Sequence, residues 1–118
     1  MKRAIELKHV GPKAHVRNLI DTLIDRVEER LHHFPSDAVS LHAMFQENGS
    51  HTLYRASVTC HIPRHLVATH EEARDPGTAI RKAFSELERQ LEKHTARLRR
   101  QIQRRRPVRG MMIEPAEG

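Results

Sequence analysis

The residues of this chain that could act chemically on a partner are basic side chains near its C-terminus. They recur at helical spacing, and at about 100° per residue they cover roughly a quarter of the circumference of a helix. We call them the basic stripe: Lys82, Arg89, Lys93, Arg97, Arg100 and Arg104. A row of fixed positive charge on one side of a helix attracts a polyanion.

The positive charge of the chain is concentrated in the segment that carries the basic stripe. Between Arg74 and Arg109 there are twelve Lys and Arg residues against four Asp and Glu, whereas the rest of the chain has nine against eleven. The net charge of +6 therefore belongs to one segment, which indicates a docking surface. Nucleic acid is the first candidate partner. A membrane surface is disfavoured, because the apolar side of the helix is expected to pack on its own domain and the chain has no Trp.

Other kinds of site find little support in the residue types. The chain has no Gly-rich phosphate loop and no nucleophile beside an obvious base, so we expect neither an enzyme nor a small-molecule substrate. The ten His residues are scattered without the spacing of zinc ligands, and we expect no metal and no cofactor. The lone Cys60 alternates with Val58 and Ile62, which predicts a small buried hydrophobic residue in a strand.

The apolar pattern predicts the elements that position the basic stripe. Apolar residues recur at helical spacing over about five turns in one segment and alternate with polar residues in others. Asp75 and Pro76 provide a cap and a first helical residue for a second helix, and Pro107 ends it. The predicted elements are a strand over Ala4–Lys8, a helix over Val16–Leu31, strands over Val39–Gln46, Tyr54–Ile62 and Leu66–Glu71, and a helix from Asp75-Pro76 to about Arg106.

The order β-α-β-β-β-α predicts an α+β fold. A strand, a crossover helix and the next strand should be parallel, and the two later connections are short enough for antiparallel hairpins. We therefore expect a two-layer domain over residues 1–106, with a four-stranded mixed sheet and two helices on one face, followed by a short flexible tail over residues 107–118. No segment is apolar enough to span a bilayer or to act as a secretory signal, so we expect a cytoplasmic protein.

Two segments of the predicted second helix carry a family signature. They are Asp75-Pro76-Gly77-Thr78-Ala79-Ile80 and Leu87-Glu88-Arg89-Gln90-Leu91-Glu92-Lys93-His94. Together with Lys8-His9-Val10, Arg17 and Leu31, they resemble the ribosome hibernation-promoting factors and ribosome-associated translation inhibitors, also called sigma-54 modulation proteins. The resemblance covers nearly the whole chain. It departs from the family pattern at Glu86, which interrupts the basic stripe, and the chain resembles the short members of the family.

The resemblance implies that the protein binds the small ribosomal subunit and its RNA near the decoding centre. There it would block the sites of mRNA and tRNA and silence translation in hibernation or stress. By position in the family motifs, the residues implied to bind RNA are Arg17, Arg89, Lys93, His94 and Arg97. The charge argument alone adds Lys82, Arg99, Arg100 and Arg104.

Two other functions are compatible with the same residues. One is a double-stranded RNA or DNA-binding regulator that does not act on the ribosome, because few aromatic residues favour recognition of backbone and shape over base stacking. The other is an oligomer that uses the second helix as a coiled coil, since heptad spacing relates Phe84, Leu87, Leu91, His94 and Leu98. We expect this seam to pack on the sheet instead and the free protein to be a monomer.

Overall fold

A computed structural model of the chain describes residues 1–8, 14–48 and 53–105, with the backbone alone for residues 98–105. The elements follow the order β-α-β-β-β-α, with a short 3-10 turn after the first helix. They are β1 (Lys2–Lys8), α1 (Ala14–Arg30), the turn Ser36–Ala38, β2 (Ser40–Glu47), β3 (Tyr54–Ile62), β4 (His65–Ala73) and α2 (Pro76–Arg105). The predicted α+β fold class is confirmed.

The four strands form one mixed sheet in the order β1-β2-β3-β4. β1 is parallel to β2, whereas β3 is antiparallel to both β2 and β4. This pattern follows from the connections, because parallel neighbours need a crossover such as α1 and antiparallel neighbours need only a short turn. The turn between β3 and β4 consists of Pro63 and Arg64.

One face of the sheet forms the core together with the helices. Buried and more exposed residues alternate along the two central strands, as a half-covered strand requires. In β4 the buried residues include Val67 and Thr69, so they define its inward face. The helices contribute the apolar side chains Val16, Ile20, Leu23, Ile24 and Val27 from α1 and Ala79, Ile80, Ala83, Phe84 and Leu87 from α2. Both helices lie on one face, as predicted.

The chain divides into two compact units. Residues 1–88 contain the sheet, α1 and the first part of α2, and the second unit begins at Arg89, within α2. The predicted tail, residues 107–118, lies outside the described residues. The predicted extent of the domain, residues 1–106, stays a prediction.

The acidic side of α1 contacts an arginine from β1. Arg3 lies on the inward face of the edge strand, and its Nη1 is 3.0 Å from Oδ1 of Asp25 and 3.9 Å from Oδ1 of Asp21. Its Nη2 donates to Oε1 of Glu28. Burial by itself lowers the pKa of Arg3, but the carboxylates of Asp25 and Glu28 outweigh it and the pKa is raised. The acidic residues therefore attach α1 to the sheet edge.

Candidate nucleic-acid interface

The start of α2 is fixed by a cap that the sequence predicts. Oδ2 of Asp75 accepts hydrogen bonds from the backbone N–H of Thr78 at 2.9 Å and from its hydroxyl at 3.0 Å. These bonds stabilise the ionised carboxylate and lower the pKa of Asp75. Pro76 is the first helical residue, where its missing N–H removes no helical hydrogen bond.

A buried hydrogen bond attaches the first part of α2 to β4. The hydroxyl of Thr69 donates to the backbone carbonyl of Ala83 over 3.0 Å. The apolar side of α2 faces the sheet, so Lys82 lies on the side of the helix that solvent reaches. Nζ of Lys82 is 4.0 Å from Oε1 of Glu71, at the edge of the sheet that β4 forms.

The basic stripe follows one continuous helix, because α2 extends to Arg105 without a break. Lys82, Arg89, Lys93 and Arg97 are exposed, and His94 is half-buried. Successive stripe residues four positions apart lie about 6 Å farther along the axis, at about 1.5 Å per residue. The backbone is also helical at the remaining candidate residues, whose side chains lie outside the described part of the chain: Arg99, Arg100 and Arg104. The RNA-binding role of all these residues stays a prediction.

Arg17 does not lie with the first residue of the stripe. It is exposed on α1, one turn before Asp21, on the side of the helix whose carboxylates contact Arg3 of β1. Lys82 lies near Glu71 of β4, at the opposite edge of the sheet. Arg17 and Lys82 therefore lie toward opposite edges of the sheet.

The groove between α1 and the first part of α2 contains cations that sequence reasoning missed. Oε1 of Glu88 is 3.5 Å from Nη2 of Arg26 and 3.8 Å from Nη2 of Arg30. Arg81 lies over the first turn of α2, where a Cβ added to Gly77 would be 2.9 Å from its Nη1. The groove has a cavity of about 120 Å³, lined by Leu23, Arg26, Arg81, Phe84, Ser85 and Glu88. The four-residue spacing of Arg26 and Arg30, on one side of α1, is the sequence signal that could have indicated this groove.

The exposed groups suit the binding of phosphates. Guanidinium groups donate paired hydrogen bonds to phosphate oxygens, and the Lys ammonium acts as a mobile point charge.

Burial raises the pKa of the Cys60 thiol to about 11, so this thiol is protonated at neutral pH. Among residues 1–8, 14–48 and 53–97, the structure shows no group of three or more His, Cys, Asp or Glu that could hold a metal ion. Within the described residues, no helix has the length and apolarity needed to cross a membrane.

Part of the predicted coiled-coil seam is already buried within a single chain. Phe84 and Leu87 are buried in the first unit, and Leu91 is buried in the second. Side chains that are buried in this way are not available to a second copy. The seam side chain that lies outside the described part of the chain is Leu98.

Comparison with known proteins gives one family. The model of the family described as "Sigma 54 modulation protein / S30EA ribosomal protein" matches residues 4–105. None of the curated proteins compared with the chain matches it significantly.

Two solved structures illustrate the fold that the chain shares. The N-terminal domain of Protein Y from Thermus thermophilus aligns with a TM-score of 0.63 and 20% identity, over 80% of this chain and 99% of that one. A ribosomal subunit interface protein from Coxiella burnetii aligns with a TM-score of 0.58 and 20% identity, over 79% of this chain and 98% of that one. At this level of identity the likeness shows a common fold.

Proposed function

Because the chain belongs to the sigma-54 modulation protein / S30EA ribosomal protein family, we propose that it associates with the ribosome and binds the small subunit near the decoding centre. The basic side of α2 contacts ribosomal RNA there, blocks the sites of mRNA and tRNA, and silences translation in hibernation or stress. The observation that carries this proposal is the exposure of Lys82, Arg89, Lys93 and Arg97 on one side of α2. Its place of action is the cytoplasm, where ribosomes work.

The chemistry of the basic side supports RNA as the partner. Each cation that meets a phosphate releases condensed counterions, which makes binding favourable and strongly dependent on salt. The cap at Asp75 and the hydrogen bond from Thr69 hold the first part of α2 in place before any partner arrives. A preformed helix loses little conformational entropy when it binds, so more of the electrostatic energy remains as affinity.

The test is co-sedimentation of the protein with purified small ribosomal subunits across low to moderate salt. The wild-type protein should pellet with the subunits, and the double variant Lys93→Glu, Arg97→Glu should stay in the supernatant because two attractive contacts become repulsive. Thermal unfolding of the variant should match that of the wild type, since both side chains are exposed. Absence of wild-type binding at every salt concentration would exclude the proposal.

A matched control separates a specific surface from overall charge. The double variant Lys8→Glu, Arg55→Glu has the same change in net charge at exposed positions on β1 and β3, away from α2. We expect it to sediment with the subunits nearly as the wild type does. Equal loss of binding in both double variants would indicate attraction by net charge alone. Equal affinity for small subunits and for free double-stranded RNA would favour the regulator that acts away from the ribosome.

A further inference from the structure

The face of the sheet opposite the helices carries a group of exposed side chains at the end where β3 turns into β4. We call this group the sheet patch. His61 is exposed on β3, and Arg64 is exposed in the turn that follows it. The members of the sheet patch are Lys2, Ser40, His42, His61, Arg64 and Leu66.

The strand register places four of these residues in one row across the sheet. Ser40 is opposite both Lys2 of β1 and His61 of β3, and His61 is opposite Leu66 of β4. Three spacings between strands, at about 4.8 Å each, make this row about 14 Å long. His42 lies one step along β2 and is a diagonal neighbour of His61, at about 7 to 8 Å. Two imidazole rings and one aliphatic side chain therefore lie side by side on an open surface.

Arg64 has a backbone conformation that is unusual for its residue type. Its φ is +66°, in the left-handed region, where a turn that begins with a proline such as Pro63 ordinarily has Gly or Asn. A residue with a Cβ is strained there, and such strain is concentrated at functional positions because the side chain has a use that offsets it. Arg64 therefore lies in the turn directly beyond His61 and Leu66, at the same end of the sheet as the row.

Leu66 is half exposed, at 50%, and it is the large hydrophobic side chain that the described part of the chain leaves open to solvent. A single exposed Leu is too small to form the apolar centre of a protein interface, which is built around a larger buried cluster. The fixed charges of the sheet patch are the cations Lys2 and Arg64. Glu6 contacts the sheet patch, because its Oε1 is 3.3 Å from Nε2 of His42.

We propose that the sheet patch binds single-stranded RNA, in a segment of two or three nucleotides. Bases stack on the rings of His61 and His42 and on the side chain of Leu66, because flat, sequence-tolerant contacts of this kind hold unpaired bases on an open sheet. Lys2 at the β1 end of the row and Arg64 in the turn beside His61 and Leu66 meet the phosphates. RNA-binding modules with a four-stranded sheet stack two or three bases in this way, and a row of about 14 Å across four strands suits a segment of that length.

The sheet patch lies on a different element from the basic side of α2 and binds a different form of RNA, so its role goes beyond the proposed function. α2 presents cations without exposed rings and suits the backbone of structured RNA. The sheet patch presents rings with few cations and suits unpaired bases. RNA binding by the sheet patch can therefore fail in experiment while ribosome binding by α2 holds, and the reverse is also true.

The test measures the binding of a fluorescein-labelled oligoadenylate of eight nucleotides by fluorescence anisotropy. All proteins carry Lys93→Glu and Arg97→Glu, so that α2 contributes little to the affinity. In this background, adding His61→Ser and Leu66→Ser should weaken binding by at least about ten-fold, because one lost base stack already has that scale and the two substitutions remove two of the proposed stacking contacts. Unchanged affinity of this variant would overturn the proposal. The same proteins sedimented with ribosomes test the proposed function separately.

Two further variants distinguish a site from a general loss of structure. His70→Ser changes another exposed histidine of the same sheet face, and it should leave the affinity unchanged. Arg64→Gly should weaken RNA binding several-fold while raising the melting temperature, because it removes a phosphate contact and relieves the left-handed strain. Equal weakening by His70→Ser, or equal binding of a polyglutamate peptide, would contradict a base-stacking site. In NMR spectra, oligoadenylate should shift the imidazole C–H signals of His42 and His61 and leave those of His70 in place.

Discussion

The exposed side of α2 allows the salt dependence of ribosome binding to be worked out for individual residues. Lys93 and Arg97 are exposed, and they lie about 6 Å apart along one helix, so each can meet a different phosphate. Affinity falls as salt rises, and each phosphate contact makes the slope of log affinity against log salt steeper by about 0.7 to 0.9. Replacing either residue by Gln should make the slope shallower by that amount, and replacing both should make it shallower by about 1.4 to 1.8.

The predicted effect is large enough to measure as a ratio of affinities. Between 50 and 200 mM KCl, the wild type should lose about 7- to 12-fold more affinity than the variant Lys93→Gln, Arg97→Gln. Anisotropy of the labelled protein titrated with small subunits at several salt concentrations gives the slope directly. Arg55→Gln, on the sheet, serves as the neutralised control and should leave the slope at the wild-type value. A double variant that binds more weakly with a parallel slope would refute phosphate contact by these residues.

Three further predictions concern Thr69, Asp75 and Cys60. Thr69→Val keeps the side-chain volume but removes one buried hydrogen bond, so the free energy of unfolding in urea should fall by about 1 kcal/mol; a loss above about 3 kcal/mol would indicate a larger role. The pKa of Asp75 is lowered in the folded state by the N–H and hydroxyl of Thr78, so its contribution to stability is present above its ordinary pKa of 3.8 and is lost as the pH falls through the lowered value. The difference in stability between wild type and Asp75→Ala should therefore be constant near neutral pH and shrink in acid; a difference independent of pH would contradict the cap. With a pKa of about 11 and a buried side chain, the Cys60 thiol should resist a thiol reagent at pH 8 until urea unfolds the chain, and rapid labelling of the native protein would show that the core opens there.

The elements could be predicted from the sequence where a local physical signal marks them. Asp75 and Pro76 supply a cap and a first helical residue, so the start of α2 is confirmed. β4 is longer than its predicted range because its backbone pairs with β3 as far as Ala73, opposite Tyr54. Hydrogen bonding along a ladder continues regardless of side-chain type, so the apolar pattern marks the centre of such a strand better than its ends.

The candidate site could be predicted only as far as local periodicity extends. The exposed basic side of α2 repeats along a single helix, and its helical spacing is present in the sequence itself. The separation of Arg17 from Lys82 depends on which edge of the sheet each helix side approaches, and this is a property of the packed fold. The four-residue spacing of Arg26 and Arg30 places both on one side of α1, but the approach of Glu88 from the other helix is again a property of the packed fold. The strained turn at Arg64 has no signal in an apolar pattern at all.

The most direct measurement of the central claim is tethered cleavage of ribosomal RNA from the basic side of α2. Glu92→Cys places a single reactive thiol next to Lys93, because the native Cys60 is buried and should stay unlabelled. An iron chelate attached there generates hydroxyl radicals that cut nearby RNA when the protein is bound to small subunits. We expect cuts in the small-subunit RNA around the decoding centre, which disappear when Lys93 and Arg97 are replaced by Glu. Cuts confined to another region of the subunit, or the same cuts with the double variant, would contradict this claim.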